Sequence, residues 1–175
     1  MDATPTQATF TTTQPSGDGA DVGQVDRTVD LDVGSDELWR LVSTAEGWSR
    51  WLTDTADLDV EPGAVGDVTE GDVVRRVRVD HVQLGRRVGF TWWSDDDPSD
   101  AATVELRIED VSVSARRLHI VERRLTQPMS HGVSLGAMRS GLSACASGEA
   151  LLDHRLAWEM RVWLLGACVS AMSLR

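Results

Sequence analysis

Between residues 56 and 125 apolar side chains recur mostly at every second position. No other feature narrows the possible folds as much. A strand sends successive side chains to opposite faces, so alternation marks strands with one buried face and one wet face. The strand candidates are "ADLDV", "GDVTEGDVVRRVRVDHV", "RRVGFTWW", "ATVELRIED" and "SARRLHIVERRL". Pro62 with Gly63, Leu84 with Gly85, the acidic "SDDDPSD" and a polar turn near Ser112 and Ser114 separate them. Breaks this short join antiparallel neighbours, because parallel strands need longer crossovers.

The flanks are of two kinds. "QVDRTVDLDV" also alternates: Val25, Val29, Leu31 and Val33 share one face, and Arg27 is the polar exception on it. "GSDELWRLVSTAEGWSRWL" then changes period. Ser35 suits an N-cap, and Asp36 and Glu37 fall where the helix dipole favours acids. Leu38, Leu41 and Val42 form an apolar stripe, Gly47 breaks it, and a second short helix carries Trp48 and Trp51. At the other end, "ALLDHRLAWEMRVWLLGACVSAMSL" places Leu151, Trp158, Val162, Leu165, Val169 and Met172 at helical spacing. Arg155 interrupts that stripe, while Leu152, Leu156 and Trp163 widen it, which predicts one long amphipathic helix with a broad apolar face. Residues 1–21 are rich in Thr, Gly, Pro, Ser and Asp and read as a disordered tail. Residues 129–149 are Gly/Ser-rich and read as a loop, a weak helix or a lid. The expected domain is single and spans 22–174.

Tryptophan stands out in the composition, with seven Trp against two Phe and no Tyr. A buried Trp removes roughly 150–250 Å² from water, worth about 4–6 kcal/mol. Seven indoles can fill a core or line an apolar cavity. The formal net charge is −11, a surface that repels nucleic-acid backbones and anionic membranes. Cys145 and Cys168 form no disulfide framework and read as free residues of a reduced compartment. With neither a signal-peptide pattern nor an apolar run long enough for a membrane span, the expected location is cytoplasmic.

Several words of the sequence carry a family resemblance: "VDLDVGSDELWRLVSTAEGWSRWL", "VRVDHVQLGRRVGFTWW", "TVELRIEDVSVSARRLHIVERRL" and "WEMRVWLL". In that order they resemble the SRPBCC superfamily (START-like or Bet v 1-like), within it the branch named after the activator of Hsp90 ATPase homologue, common in bacteria. The resemblance covers about residues 25–125 and again 150–174. It implies an α+β helix-grip fold: a curved antiparallel sheet of about six strands wrapped around a long C-terminal helix, with two short helices after the first strand. Two departures stand out. Glu122 occupies a position where many relatives carry His, and 129–149 is longer and richer in Gly and Ser than usual.

Parity selects the candidate site. Val88, Phe90 and Trp92 share one face; Leu118, Ile120 and Glu122 share another. If both face the grip, Glu122 is an acid on an apolar wall. It then anchors a polar ligand group, serves as a general base, or pairs with Arg27 or Arg124. Arg27 is either a ligand contact or a cation with a buried stem and a wet head. Trp51, Trp92 and Trp158 match family positions. The ligand-binding candidates are therefore Arg27, Trp51, Phe90, Trp92, Glu122 and Trp158. Glu122 is the one possible catalytic group, and no metal or cofactor is expected. Trp93 has the opposite parity to Trp92, and His119 the opposite parity to Leu118 and Ile120.

"GVSLG" around Ser134 matches the nucleophile-elbow pattern, but an elbow needs a strand before it and a helix after it on a parallel sheet. Asp153 and His154 are adjacent, which is poor for a base and its orienting group. The expected function is binding of a small hydrophobic molecule between the sheet and the C-terminal helix, with a homodimer possible. The alternatives are a polyketide cyclase/dehydratase-like enzyme using polar pocket groups, and an Hsp90-activator-like protein-interaction module.

Overall fold

The computed structural model describes residues 24–94, 101–125 and 147–172, with the side chains of the last segment from Ala157 onward. The chain begins with β1 (Gln24–Leu31), followed by α1 (Ser35–Ser43) and α2 (Ala45–Trp51). Six strands follow: β2 (Thr55–Asp57), β3 (Val65–Glu70), β4 (Val73–Gln83), β5 (Arg87–Ser94), β6 (Ala102–Asp110) and β7 (Arg116–Arg124). The 26-residue α3 (Ser147–Met172) closes the fold. All strand pairs are antiparallel, in the order β1-β7-β6-β5-β4-β3-β2. The chain therefore crosses from one sheet edge to the other through α1 and α2, then returns by hairpins until β7 meets β1. This is the expected helix-grip arrangement with one strand more. Gly71, at φ +58, makes a tight turn that divides the run "GDVTEGDVVRRVRVDHV" into β3 and β4. Positive φ at such a turn is cheap only for Gly.

One cross-strand row runs through the inner face: Val25, Glu122, Val104, Phe90 and Val79, on β1, β7, β6, β5 and β4. Every member is buried. Trp158, Val162, Leu165 and Val169 of α3 complete the same core. Each of the Val, Leu and Phe side chains contributes about 1.5–3 kcal/mol of burial, and the indole of Trp158 more.

The alternation of β4 slips once. Val77 and Val79 face in, yet the next apolar partner is Val82, opposite Val88, because the register shifts between Val79 and His81. Asp80 is the extra residue of this bulge, and it accepts the Thr91 hydroxyl at 2.6 Å. The His81 ring then lies against Gly89, where a Cβ would come within 2.1 Å of it.

The start of α1 differs from expectation. Gly34, not Ser35, is the N-cap, with no side-chain cap bond. The Ser35 hydroxyl instead accepts from Arg116 Nε at 2.7 Å. At α2 the cap is Thr44, whose Oγ1 accepts from the Gly47 amide at 2.9 Å. Gly47 lets α2 lie directly on the end of α1, because a Cβ there would sit 2.4 Å from the Leu41 carbonyl oxygen and 2.5 Å from that of Arg40. Backbone cannot step aside as a side chain can. Gly47→Ala is expected to cost about 1–3 kcal/mol, read as a lower urea midpoint.

On the outer face Arg117 donates from Nε and Nη2 to Asp30 Oδ1 and Oδ2, at 2.6 and 2.7 Å. These bonds, opposed in part by burial, hold the Asp30 carboxyl below its ordinary 3.8. A depressed folded-state value means stability is present above the unfolded value and lost as pH falls through the folded one. Asp30→Asn should therefore be less stable than the parent at pH 7. The gap should close as urea midpoints are measured at successively lower pH below the ordinary carboxylate range. His119 lies on this face as parity predicts, with Nδ1 3.2 Å from Thr28 Oγ1 and Nε2 3.1 Å from Glu109 Oε2.

Candidate functional site

Four tryptophans are almost wholly buried: Trp48, Trp51, Trp92 and Trp158. A buried indole N–H needs an acceptor, and the four find theirs in two ways. Trp48 donates to the Val42 carbonyl at 2.8 Å and Trp51 to the Leu41 carbonyl at 3.0 Å. Both acceptors belong to the last turns of α1, so these two indoles fasten α2 to α1. Trp92 and Trp158 donate instead to one carboxylate. Trp92 Nε1 reaches Glu122 Oε1 at 3.0 Å, and Trp158 Nε1 reaches Glu122 Oε2.

The register explains how Trp92 gets there. Trp92 on β5 faces Ala102 on β6, and Ala102 faces Arg124 on β7. Glu122 lies two residues from Arg124 along β7 on the same face. The indole must cross a whole strand, and the Ala102 methyl leaves it the room. Trp158 comes down from α3, so Glu122 joins sheet to helix through two donors. An aromatic chain runs through the same region: Trp48–Phe90 at 4.6 Å, Phe90–Trp92 at 5.5 Å and Trp92–Trp158 at 6.2 Å between ring centroids.

A cation completes the cluster. Arg161 is 5% exposed. Its guanidinium carbon lies 5.0 Å from the Trp92 ring centroid and 4.8 Å from that of Trp158. Its Nη2 donates to Glu70 Oε2. Arg75 approaches the Trp92 ring at 5.4 Å. Burial pulls the Arg161 guanidinium below its ordinary value, while the charges of Glu70 and Glu122 oppose that shift. Among the described residues, two carboxylates and two guanidiniums thus meet over the indoles.

Parity had placed Phe90, Trp92 and Glu122 on the inner wall, and the structure brings them together with Trp158. Trp51 lies in the same core, its N–H already used. Arg27 does not pair with Glu122. Its Nη2 meets Glu159 Oε1 of α3 at 3.0 Å and its Nη1 donates to the Asp26 carbonyl. That places it at the rim, since Glu159 lies on an exposed part of the helix. Trp163 does not widen the buried stripe either: it is 63% exposed, beside Met160 and Leu164. Trp93 is half-buried on the outer face. Ser134 and Cys145 lie outside the described residues, as do the side chains of Leu151, Leu152, Asp153, His154, Arg155 and Leu156.

Arg161 is the residue that sequence reading missed. The signal was present: residue 161 stands three after Trp158 and four before Leu165, on the buried stripe of α3. Glu70 and Arg75 were legible in the same way, sharing parity with the buried Val68 and Val77. Two open depressions lie away from the grip. One, of about 750 Å³, is lined by Ser35, Arg86 and Arg107 among others; the other, of about 510 Å³, lies on the outer sheet face around His81, Glu105 and His119. Among the described residues no helix is long and apolar enough to cross a membrane.

The model of the family described as "Activator of Hsp90 ATPase homolog 1-like protein" matches residues 32–148. The chain belongs to this family. Solved structures agree on the fold. CalU16 from Micromonospora echinospora superposes with a TM-score of 0.59 at 16% identity, covering 87% of this chain and 79% of its own. DynU16, a putative protein of the dynemicin biosynthetic locus, gives 0.60 at 19%, with 83% of this chain and 46% of its own covered. The Aha1 dimer of Colwellia psychrerythraea gives 0.61 at 9%, with 84% and 96% covered. Identities this low carry the fold alone. No curated protein matches the sequence.

Proposed function

We propose that this AHSA1-like protein binds a small, largely apolar molecule between its sheet and α3, at the cluster of Trp92, Trp158, Glu122 and Arg161. The observation that carries the proposal is the buried carboxylate held by two indoles beside a buried guanidinium. Charges are costly in a core, and well-packed apolar residues of similar volume often stabilise as well or better. Convergent polar groups on aromatic walls are instead what orients a ligand. Phe90 and Trp51 supply further aromatic wall, and Arg27 stands at the rim. The proposed setting is the cytoplasm.

The same polar groups support a cyclase- or dehydratase-like reaction as an alternative, with Glu122 as the proton-handling group. Glu122→Gln would abolish such turnover; turnover that survives it assigns the chemistry elsewhere. A partner-binding role draws on a different observation, the exposed apolar side chains Met160, Trp163 and Leu164 on α3. One solved relative is named as an Hsp90 activator, PFC0360w of Plasmodium falciparum. Another is described as a dimer. Capture of the cognate chaperone, lost on Trp163→Ser, would support that role, and absence of capture would remove it.

The binding proposal is tested by titrating aromatic and aliphatic probes while following tryptophan fluorescence and thermal midpoint. Saturable quenching with a raised midpoint is expected. A probe set that changes neither would contradict it.

A further inference from the structure

Resting on the proposed binding site, we infer that its ligand carries a neutral hydrogen-bond acceptor, a carbonyl on a flat aromatic frame, and that Arg161 is the residue that takes it.

A guanidinium offers five N–H groups in one plane. In Arg161, Nη2 donates to Glu70, whereas Nε and Nη1 are buried with no hydrogen-bond partner. A buried donor without an acceptor is costly, and each one in a native structure calls for a reason, a functional role or a bound partner among them. The guanidinium lies over both indoles, its carbon 5.0 Å from the Trp92 ring centroid and 4.8 Å from that of Trp158, so an acceptor that reaches these donors comes up against the two rings.

Charge then decides which acceptor. Among the described residues, Glu122 and Glu70 offset the cations Arg161 and Arg75. A carboxylate ligand would bring a further negative charge next to Glu122, with the repulsion magnified by the low dielectric of the core. A neutral carbonyl meets the donors without that penalty. The frame follows from the walls: stacked and edge-on aromatic contacts favour a planar ring system over a flexible chain.

The test compares 9-fluorenone with fluorene, which differ by C=O against CH₂, and with fluorene-9-carboxylate. Affinities come from tryptophan quenching of the full-length protein. Fluorenone is expected to bind at least about tenfold tighter than fluorene, because a site built to hydrogen-bond one group rejects the analogue lacking it. Arg161→Lys keeps the positive charge but loses Nε and Nη1, and should bring the two affinities together. The parent protein supplies a second readout. Its Arg161 Nε–H resonance should shift on adding fluorenone and stay on adding fluorene, which decides the matter even if the lysine variant does not fold. Equal binding of fluorene and fluorenone would overturn the role of Arg161 while leaving the apolar site standing. A preference that survives in Arg161→Lys, or tighter binding of the carboxylate, would overturn it as well. Failure of all three probes to bind would remove the site and this inference together.

Discussion

Replacing Glu122 with alanine is expected to lower the unfolding free energy by about 3–5 kcal/mol, the usual cost of removing one side of a buried charged pair. Three groups lose by this change. The indole N–H groups of Trp92 and Trp158 lose their common acceptor, and Arg161 loses a nearby counter-charge. In a chain of this length the thermal midpoint should fall by about 6–20 °C. Glu122→Gln should be milder, at about 1–3 kcal/mol. It preserves the volume, but it presents one oxygen and one NH₂ to two donors. Chemical denaturation with both variants checks the order. Equal and small effects would place the carboxylate outside the energetics of the core.

Trp158→Ala is expected to cost a similar amount, about 3–5 kcal/mol, from the cavity left by a fully buried indole. Trp158→Phe separates the polar share from the packing share, because it keeps a ring and removes only the N–H. About 1–3 kcal/mol is expected there, since the buried Glu122 carboxylate loses the indole donor on Oε2. Combined with Glu122→Ala, the phenylalanine variant should cost less than the sum of the two single changes. Both single changes remove the same Trp158–Glu122 bond, so its loss is counted twice in their sum. Additive costs would show that the Trp158–Glu122 bond is not a stability element.

The fold was legible because its two periods are clean. Alternation on β5 and β7 fixed which of Val88, Phe90, Trp92, Leu118, Ile120 and Glu122 face inward, and register makes that choice all-or-none. Where the alternation was interrupted, the reading was coarser. Asp80 adds a residue to β4, and Gly71 turns one long strand candidate into a hairpin; both depend on local backbone geometry that a side-chain pattern does not carry. The site was half legible. Glu122 stood out as a charge on an apolar wall, but its partners lie 30 and 36 residues away in sequence. No local rule pairs a strand acid with a distant indole. Arg27 was a reasonable partner by parity, yet α3 supplies Glu159 nearer to it. Arg161 escaped notice because an Arg on an apolar helical stripe usually lifts its head to water. Here the rings of Trp92 and Trp158 and the carboxylate of Glu70 keep it inside.

A ligand seated at the Trp92–Glu122–Trp158–Arg161 cluster, between sheet and helix, must disturb the two indole N–H groups that bind Glu122. Seven tryptophans give few indole N–H resonances, assignable one at a time by Trp→Phe variants. Titration with 9-fluorenone should move the Trp92 and Trp158 resonances saturably and together, and leave those of Trp93 and Trp163 in place. Movement of Trp163 alone, or no movement of Trp92 and Trp158 while the probe quenches fluorescence, would place the ligand outside this cluster.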